Sequence, residues 1–489
     1  METSSHHAPT FFSPHTASSA FLYSAHPEFQ DCSFHDILSA AHHAAVWLQA
    51  QGCSHGSRCA FLAHTTPETV LMLLACLRIG VVAMPLSPRF PEHVLQEVVR
   101  TAQAVFISLP DSFTTDNFTT NTPPHISAAE TFQFDVQNDA TILCSSGSTG
   151  FPKLFVHSAE SHLLSAVGSH SNIPFTQGDC WFAALPLYHI GGYATLFRAL
   201  VGGAAIALPQ TRTFDVPALT RSLEQFPITH CSLVATQLHY CLGSEQAVER
   251  LRGLKAILLG GSAIPEHVIE QALKRGLKVF TSYGSTEMAS QITTTRTTER
   301  EELRTSGSVL PHRELMISAD GEILVRGKTL AKGQLTKQGI MPIVGEDGWY
   351  HTNDIGECDA LGRLHVQGRR DNMFISGGEN IHPEAIEHIL LERPDVFQAI
   401  VVPVPHEIFG FRPVAFVQCA EKTSAHHRLN PAVCVEFAQN IAEKLPRFAV
   451  PNFFFPFPEE MLQSGIKPRR SELQALAIMR VRENEHAGL

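Results

Sequence analysis

The sequence predicts an α/β protein: a large N-terminal domain of parallel-sheet α/β layers with a small barrel-like β part, then a smaller C-terminal α+β domain. Three observations carry this. Up to about residue 293, apolar runs of strand length alternate with helical runs, the pattern of parallel sheets flanked by helices. Beyond it, short strands bounded by glycines take over, as at 321–327 and 362–368. From Asn372 onward only two helices and two strands are visible, too few to extend the large sheet. The chain of 489 residues suits about three domains' worth of sequence at roughly 150 each, so two unequal domains fit. We place their boundary within 368–371, separating 1–368 from 369–489.

The elements follow in order. The first 25 residues, rich in Ser, His, Thr and Pro, read as a loose lead-in, and order begins at Phe34. Phe34, Ile37, Leu38, Ala41, Ala45 and Leu48 repeat at helical spacing until Gly52 stops them. A strand over 58–63 follows. Thr66 and Pro67 then supply an N-cap and a first-turn proline, and Gly80 sits where a left-handed C-cap belongs. Next come strand 81–84, helix 91–103 and strand 105–109. Strand 141–144, helix 216–226, strand 255–259, helix 265–275 and strand 278–282 complete the large domain's visible alternation. The small domain shows helix 383–392, strands 399–404 and 414–419, and helix 431–445.

Composition excludes several functions. With 36 basic and 47 acidic side chains the formal charge is −11, the wrong sign for a general nucleic-acid binder, so small molecules are the expected partners. Complete protonation of all 27 histidines would reverse that sign, so solubility should depend on pH below neutrality. The apolar stretch 71–86 is broken by Arg78 and Gly80 and falls short of the roughly 18 residues a membrane span needs. No leader-like segment opens the chain, and its eleven cysteines include no C-x-x-C pair, so a reducing cytoplasm is the expected compartment. A homo-oligomer is compatible with this composition. The pairs His42-His43 and His426-His427 lack the spacing of a zinc site. Gly52-Cys53-Ser54-His55-Gly56 fits a nucleophile elbow in letters only, since a helix precedes it and a strand follows.

Chemistry concentrates in a few motifs. Strand 141–144 runs into Ser145-Ser146-Gly147-Ser148-Thr149-Gly150-Phe151-Pro152-Lys153, whose backbone N–H groups, hydroxyls and one ammonium suit phosphate oxygens. It is neither a Walker A loop nor a dinucleotide fingerprint. Glu287, after strand 278–282, offers the hard oxygen that Mg²⁺ prefers. Asp354, in Gly348-Trp349-Tyr350-His351-Thr352-Asn353-Asp354-Ile355-Gly356, is the type of acceptor that grips paired ribose hydroxyls.

Together with Tyr283-Gly284-Ser285-Thr286-Glu287 and Gly368-Arg369-Arg370-Asp371-Asn372, these segments resemble, in order and over nearly the whole chain, the motifs of the adenylate-forming superfamily. That resemblance implies an acid activated by ATP and Mg²⁺ to an acyl-adenylate, then transferred to coenzyme A. It also implies roles. Ser145, Ser146, Gly147, Ser148, Thr149 and Lys153 would hold the β- and γ-phosphates. Gly261, Ser262, Ala263, Tyr283, Gly284 and Thr286 would surround the adenosine. Asp354 and Arg369 would take the ribose, Glu287 the metal, and Asp371 the hinge of a mobile small domain. The segment 375–380 would line the pantetheine tunnel. A lysine near the C-terminus would reach the reacting carboxylate. Here it is Lys467, one residue later than the family's T-x-x-G-K spacing, within Gln463-Ser464-Gly465-Ile466-Lys467.

The acyl pocket should form around 185–198, with His189 contacting the acid or gating the pocket. Arg198 breaks its apolar character and suits a second carboxylate. With the runs 283–291 and 409–415, this resembles the o-succinylbenzoate CoA ligases of menaquinone synthesis and implies that diacid as substrate. Two alternatives stay open: a CoA ligase for another aryl or medium-chain acid, and, from another class, a luciferase-like oxygenase or a carrier-loading adenylating domain. The chain ends soon after Lys467 with no carrier domain appended, which favours a free-standing ligase.

Overall fold

A computed structural model describes residues 19–26, 29, 31–109, 134–145, 151–262, 264–419, 429–458 and 470–486. Two large sheets form the body. One has nine strands in the order Ser308–Val309, Ser290–Thr294, Val279–Ser285, Ala256–Leu259, His230–Leu233, Cys180–Phe182, Ala205–Ala207, Ala20–Tyr23, Asp31–Ser33. Its centre is parallel and its edges antiparallel. The other has seven: Gly339–Met341, Gly333–Thr336, Lys153–Ser158, Asp139–Ser145, Val82–Leu86, Arg58–Leu62, Val105–Phe106. Its last four strands run parallel, while Asp139–Ser145 and Lys153–Ser158 form an antiparallel hairpin.

Helices fill the space between these sheets because their sequences leave little polar surface. Pro67–Ile79 reads PETVLMLLACLRI and is buried from Pro67 to Leu77, as expected of a helix lying between two apolar layers. It starts on Pro67 and ends on Gly80 in the left-handed region at φ 68, the two signals the sequence offered. Thr66 occupies the N-cap position but makes no side-chain cap bond, so the proline alone supplies the start. The helix Phe34–Ala50 is capped by Ser33, whose hydroxyl accepts from the Asp36 N–H while the Asp36 carboxylate accepts from the Ser33 N–H.

The barrel-like β part is a four-stranded antiparallel sheet, Arg313–Ile317, Glu322–Gly327, Tyr350–Cys358 and Leu364–Arg369. After the short helix Arg370–Asn372, a last sheet is built from Glu379–Ile381, Phe374–Ser376, Gly410–Cys419 and Val396–His406, with Phe453–Pro456 beside Gly410–Cys419. Helices Pro383–Leu391 and Pro431–Ala442 cover one face of it and Arg470–His486 the other, the last through buried Leu473, Ala477 and Val481. The buried apolar clusters separate the same way: some draw on residues up to Leu364, the others on Phe374 and beyond. Contacts across the two parts include His239 stacked on Phe397 at 3.8 Å and the Tyr240 hydroxyl accepting from Gln418 Nε2 at 3.0 Å.

Three expectations need correction. The lead-in is not wholly loose, because Ala20–Tyr23 pairs in parallel with Ala205–Ala207 and Asp31–Ser33 pairs beside it. Strand 105–109 shortens to Val105–Phe106 at a sheet edge. The histidines do not titrate as one population, since His157, His162 and His230 are almost wholly buried. Among the described residues no helix is long and apolar enough to cross a membrane.

Candidate active site

The hairpin from Asp139–Ser145 to Lys153–Ser158 sets Ser145 opposite Lys153, so both flank the tip of the phosphate-loop candidate. Ser146, Gly147, Ser148 and Thr149 lie outside the described residues, as do Ala263 and Lys467. Lys153 is exposed. Its charge reaches Asp371, whose carboxyl is raised by burial but held below its usual range overall by the Arg369 fork and then by Lys153.

Asp354 is the centre of a three-residue clasp. The strands Tyr350–Cys358 and Leu364–Arg369 put Asp354 opposite Arg369, whose Nη1 lies 3.2 Å from Oδ1. The Tyr283 hydroxyl donates to the other carboxylate oxygen at 2.5 Å. Burial first, and then the Asp354 charge, push the Tyr283 phenol far above its ordinary value, so it stays a donor. Arg369 also grips Asp371 in a two-point contact of 2.8 and 3.0 Å, tying the ribose-site candidate to the hinge candidate. Asn353, at φ 59, turns the strand just before Asp354, and its N–H donates to Glu322 Oε1 at 2.9 Å. Such a conformation costs energy, less for Asn than for most residues, and recurs at functional sites.

Glu287 sits in the turn between Val279–Ser285 and Ser290–Thr294, half-buried, with Thr286 beside it. Its carboxylate faces the Tyr350 hydroxyl, which is pushed up first by burial and then by the Glu287 charge. The same turn holds Ala289 at φ 51 and Ser290 at φ 106. Gly284 pairs against this bend, and a Cβ there would fall 2.1 Å from the Ser290 carbonyl oxygen, so only glycine fits. Gly261, at φ 83, and Ser262 are exposed just beyond Ala256–Leu259.

The acyl-pocket candidates lie on Ile190–Gly202. His189 is its N-cap residue, packed on Tyr188 at 4.5 Å, with Nε2 buried and unpartnered among the described residues. Its pKa is pushed down to about 4 by burial and then by the Arg89 charge, so the ring is neutral at pH 7. Arg198 does not snorkel to solvent: it is 2% exposed. Its Nε donates to Ser169 Oγ at 3.1 Å, Nη2 donates to Gln291 Oε1 at 2.7 Å, and the fork lies 4.8 Å over the Trp181 ring. Nη1 is buried without a partner among the described residues, and the pKa falls to about 10 through burial alone.

Sequence reasoning gave no role to Tyr350, Gln291 or Arg313. Arg313 carries a legible signal: in Arg313–Ile317 it shares a face with Leu315 and Ile317, a charge in register with apolar residues, and it is 5% exposed. No group of three or more His, Cys, Asp or Glu side chains converges on a metal site among the described residues.

Residues 14–335 match the AMP-binding enzyme family and residues 385–464 its C-terminal domain. The chain is 35% identical over 449 residues to the 2-succinylbenzoate–CoA ligase of Escherichia coli K12, covering 91% of this chain and 93% of that one. It is 30% identical over 472 residues to the enzyme of the same name from Bacillus subtilis 168, with 91% and 93% covered. Among solved structures it resembles a variant of E. coli MenE with bound OSB-AMS at TM-score 0.80 and 30% identity, covering 95% and 96% of the two chains. It also resembles the B. subtilis o-succinylbenzoate CoA synthetase in complex with the acyl-adenylate intermediate OSB-AMP at TM-score 0.77 and 28% identity, covering 94% and 95%. Another similar structure is that synthetase with ATP and magnesium ion, at TM-score 0.74 and 27% identity, covering 90% and 93%.

Proposed function

The chain belongs to the AMP-binding enzyme family, and on that premise we propose that it joins o-succinylbenzoate to coenzyme A with ATP. The acid's carboxylate attacks the α-phosphorus, pyrophosphate leaves, and the coenzyme A thiol displaces AMP from the acyl-adenylate to give o-succinylbenzoyl-CoA. The observation that carries the choice of acid is Arg198. A guanidinium buried on the helix Ile190–Gly202, with one N–H edge unpartnered and no carboxylate beside it among the described residues, is a receptor for an anionic tail.

The remaining roles are those the family resemblance implies, supported by geometry where the residues are described. Asp354, clasped by Tyr283 and Arg369, accepts from the ribose hydroxyls. Ser145, Ser146, Gly147, Ser148, Thr149 and Lys153 bind the terminal phosphates, while Gly261, Ser262, Ala263, Gly284 and Thr286 border the adenosine. Glu287 fits Mg²⁺, because its half-buried carboxylate is steadied by Tyr350 and this cation takes only one or two protein carboxylates beside phosphates and water. Bound there, Mg²⁺ would neutralise charge on the phosphates. His189, kept neutral by burial, can meet the acid as a hydrogen-bonding partner. Lys467 serves the reacting carboxylate. Residues 1–368 and 369–489 act as two domains that pivot at Asp371, a division supported by the separation of their buried clusters. All eleven cysteines are free thiols, which supports a reducing cytoplasm.

The test is pyrophosphate release across a panel of acids. o-Succinylbenzoate should be preferred over benzoate and octanoate, and Arg198→Ala should raise its KM by on the order of tenfold or more while leaving that of ATP unchanged. Preference for octanoate, or an unchanged acid KM in the variant, would overturn the reading.

A further inference from the structure

Arg198 is not the only buried cation at this place. Arg313 enters from Arg313–Ile317, is 5% exposed, and donates to main-chain carbonyls: Pro311 O at 3.0 Å, Leu164 O and Ser165 O at 3.4 Å each, and Gln291 O in a short contact. Gln291 therefore joins the two arginines, its backbone oxygen taking Arg313 and its side-chain oxygen taking Arg198 at 2.7 Å. One turn of the helix Ala159–Asn172 serves both. Gly168 leaves room for Arg313, since a Cβ there would lie 2.3 Å from Nη2, and Ser169 binds Arg198.

Carbonyl dipoles satisfy the N–H groups of Arg313 but leave its net charge in place. Neither arginine has an Asp or Glu partner among the described residues, and the pKa of Arg313 is pushed down to about 9, first by burial and then by the charge of Arg198. The histidines beside Arg198, His170 and His230, are held neutral chiefly by burial and add no further positive charge. Two buried cations sharing one neutral amide are costly to keep.

We propose that Arg313 is a positioning residue for the acid substrate: through Gln291 it aims the Arg198 fork, and with Arg198 it forms a two-cation receptor that selects dicarboxylates over monocarboxylates. This rests on the assignment of Arg198 to the second carboxylate. Gln291 is then the neutral spacer that keeps the receptor unfilled until the substrate brings its own anion. Its amide nitrogen, donating to Thr294 Oγ1 at 2.5 Å, fixes which end faces Arg198.

The decisive variant is Gln291→Glu, which supplies the missing carboxylate from the protein. KM for o-succinylbenzoate should rise by on the order of tenfold or more, KM for ATP should not change, and the melting temperature should increase. A merely structural Gln291 would give the same thermal shift but leave KM for the diacid unchanged, so KM is the discriminating readout. Arg313→Gln should narrow the preference for o-succinylbenzoate over its succinyl monomethyl ester, and Arg313→Lys should restore part of it. Should Arg198→Lys erase that preference while Arg313→Gln leaves it at the wild-type value, the inference fails and the Arg198 assignment stands. Should neither arginine affect the preference, the assignment itself fails. A Gln291→Glu protein that melts below wild type, or keeps its affinity for the diacid, overturns the proposed receptor even where Arg313 variants do not fold.

Discussion

Acidification should unfold the large domain well above the pH at which its carboxylates titrate, because histidines are buried there uncharged. His157, His170, His189 and His230 are each pushed down to about 4 from an ordinary 6.5, in every case chiefly by burial. His162, against Thr141 and the rings of Tyr193 and Phe197, is likewise held well below its ordinary value, by burial and then by the charge of His157. Between pH 4 and 6.5 the unfolded chain thus binds more protons than the folded one. Stability rises with pH across that window, is fully present well above 6.5, and is lost as pH falls toward 4. At pH 5.5 each of the four contributes a loss of about 1.4 kcal/mol, on the order of 5 kcal/mol together. That rivals the roughly 5–15 kcal/mol that holds a whole domain together. Urea unfolding followed by tryptophan fluorescence at pH 7.5, 6.5, 6.0 and 5.5 would reveal it, since Trp181 stacks on His230. The midpoint should dip slightly between 7.5 and 6.5, where four half-protonated unfolded rings cost about 1.6 kcal/mol, and then fall steeply, and His230→Gln should flatten the slope by about 1.4 kcal/mol per pH unit, one proton's worth. A midpoint that is level down to pH 5.5 would mean that these rings find protons or water in the folded state, and the argument would fail.

Three further outcomes test the nucleotide site. Glu287→Gln should lower activity and raise the Mg²⁺ concentration needed for half-maximal rate; an unchanged Mg²⁺ titration would remove Glu287 as a ligand. Asp354→Asn should raise KM for ATP by roughly tenfold or more through loss of charged acceptor bonds, with KM for the acid unmoved. Lys467→Ala should slow pyrophosphate release by about 10²- to 10³-fold yet still form thioester from synthetic acyl-adenylate and coenzyme A. Equal damage to both half-reactions would make Lys467 structural.

What could be read from the sequence was local or contiguous. The helix Pro67–Ile79 announced itself because proline and a left-handed glycine bracket it, and Asp354 because it sits inside the contiguous nine-residue motif 348–356. What escaped was made by distant pairings. The strand Ala20–Tyr23 exists because Ala205–Ala207 lies beside it, and no local pattern among Ser and His residues encodes that partner. Helix Arg470–His486 lacks the broad apolar stripe of the others, burying a narrow Leu473, Ala477, Val481 line, and so passes for a solvated tail. At the site, Arg198 was visible as an oddity in an apolar run. Its bond to Gln291, and Arg313 beyond that, required the helix Ala159–Asn172 to cross over two strands far off in sequence.

The start of that last helix has a mechanical meaning. Arg470 binds Glu384 at 3.0 Å and Glu387 at 2.5 and 2.9 Å, all on Pro383–Leu391, and reaches the Val401 carbonyl of Val396–His406. Three elements of the small part thereby move as one lever. Glu384 also accepts from Asn372 at 2.5 Å, which ties this unit to the segment where Arg369 holds Asp371. The ties from the small part to the large one include ion pairs of the half-exposed Arg370 with Asp320 and Glu322, beside His239 on Phe397 and Tyr240 with Gln418. Exposed ion pairs are worth only about 0.2–1 kcal/mol. Within the small part, then, Arg470, the helix Pro383–Leu391 and the strand Val396–His406 form one stiff unit, tied through Glu384 to Asn372.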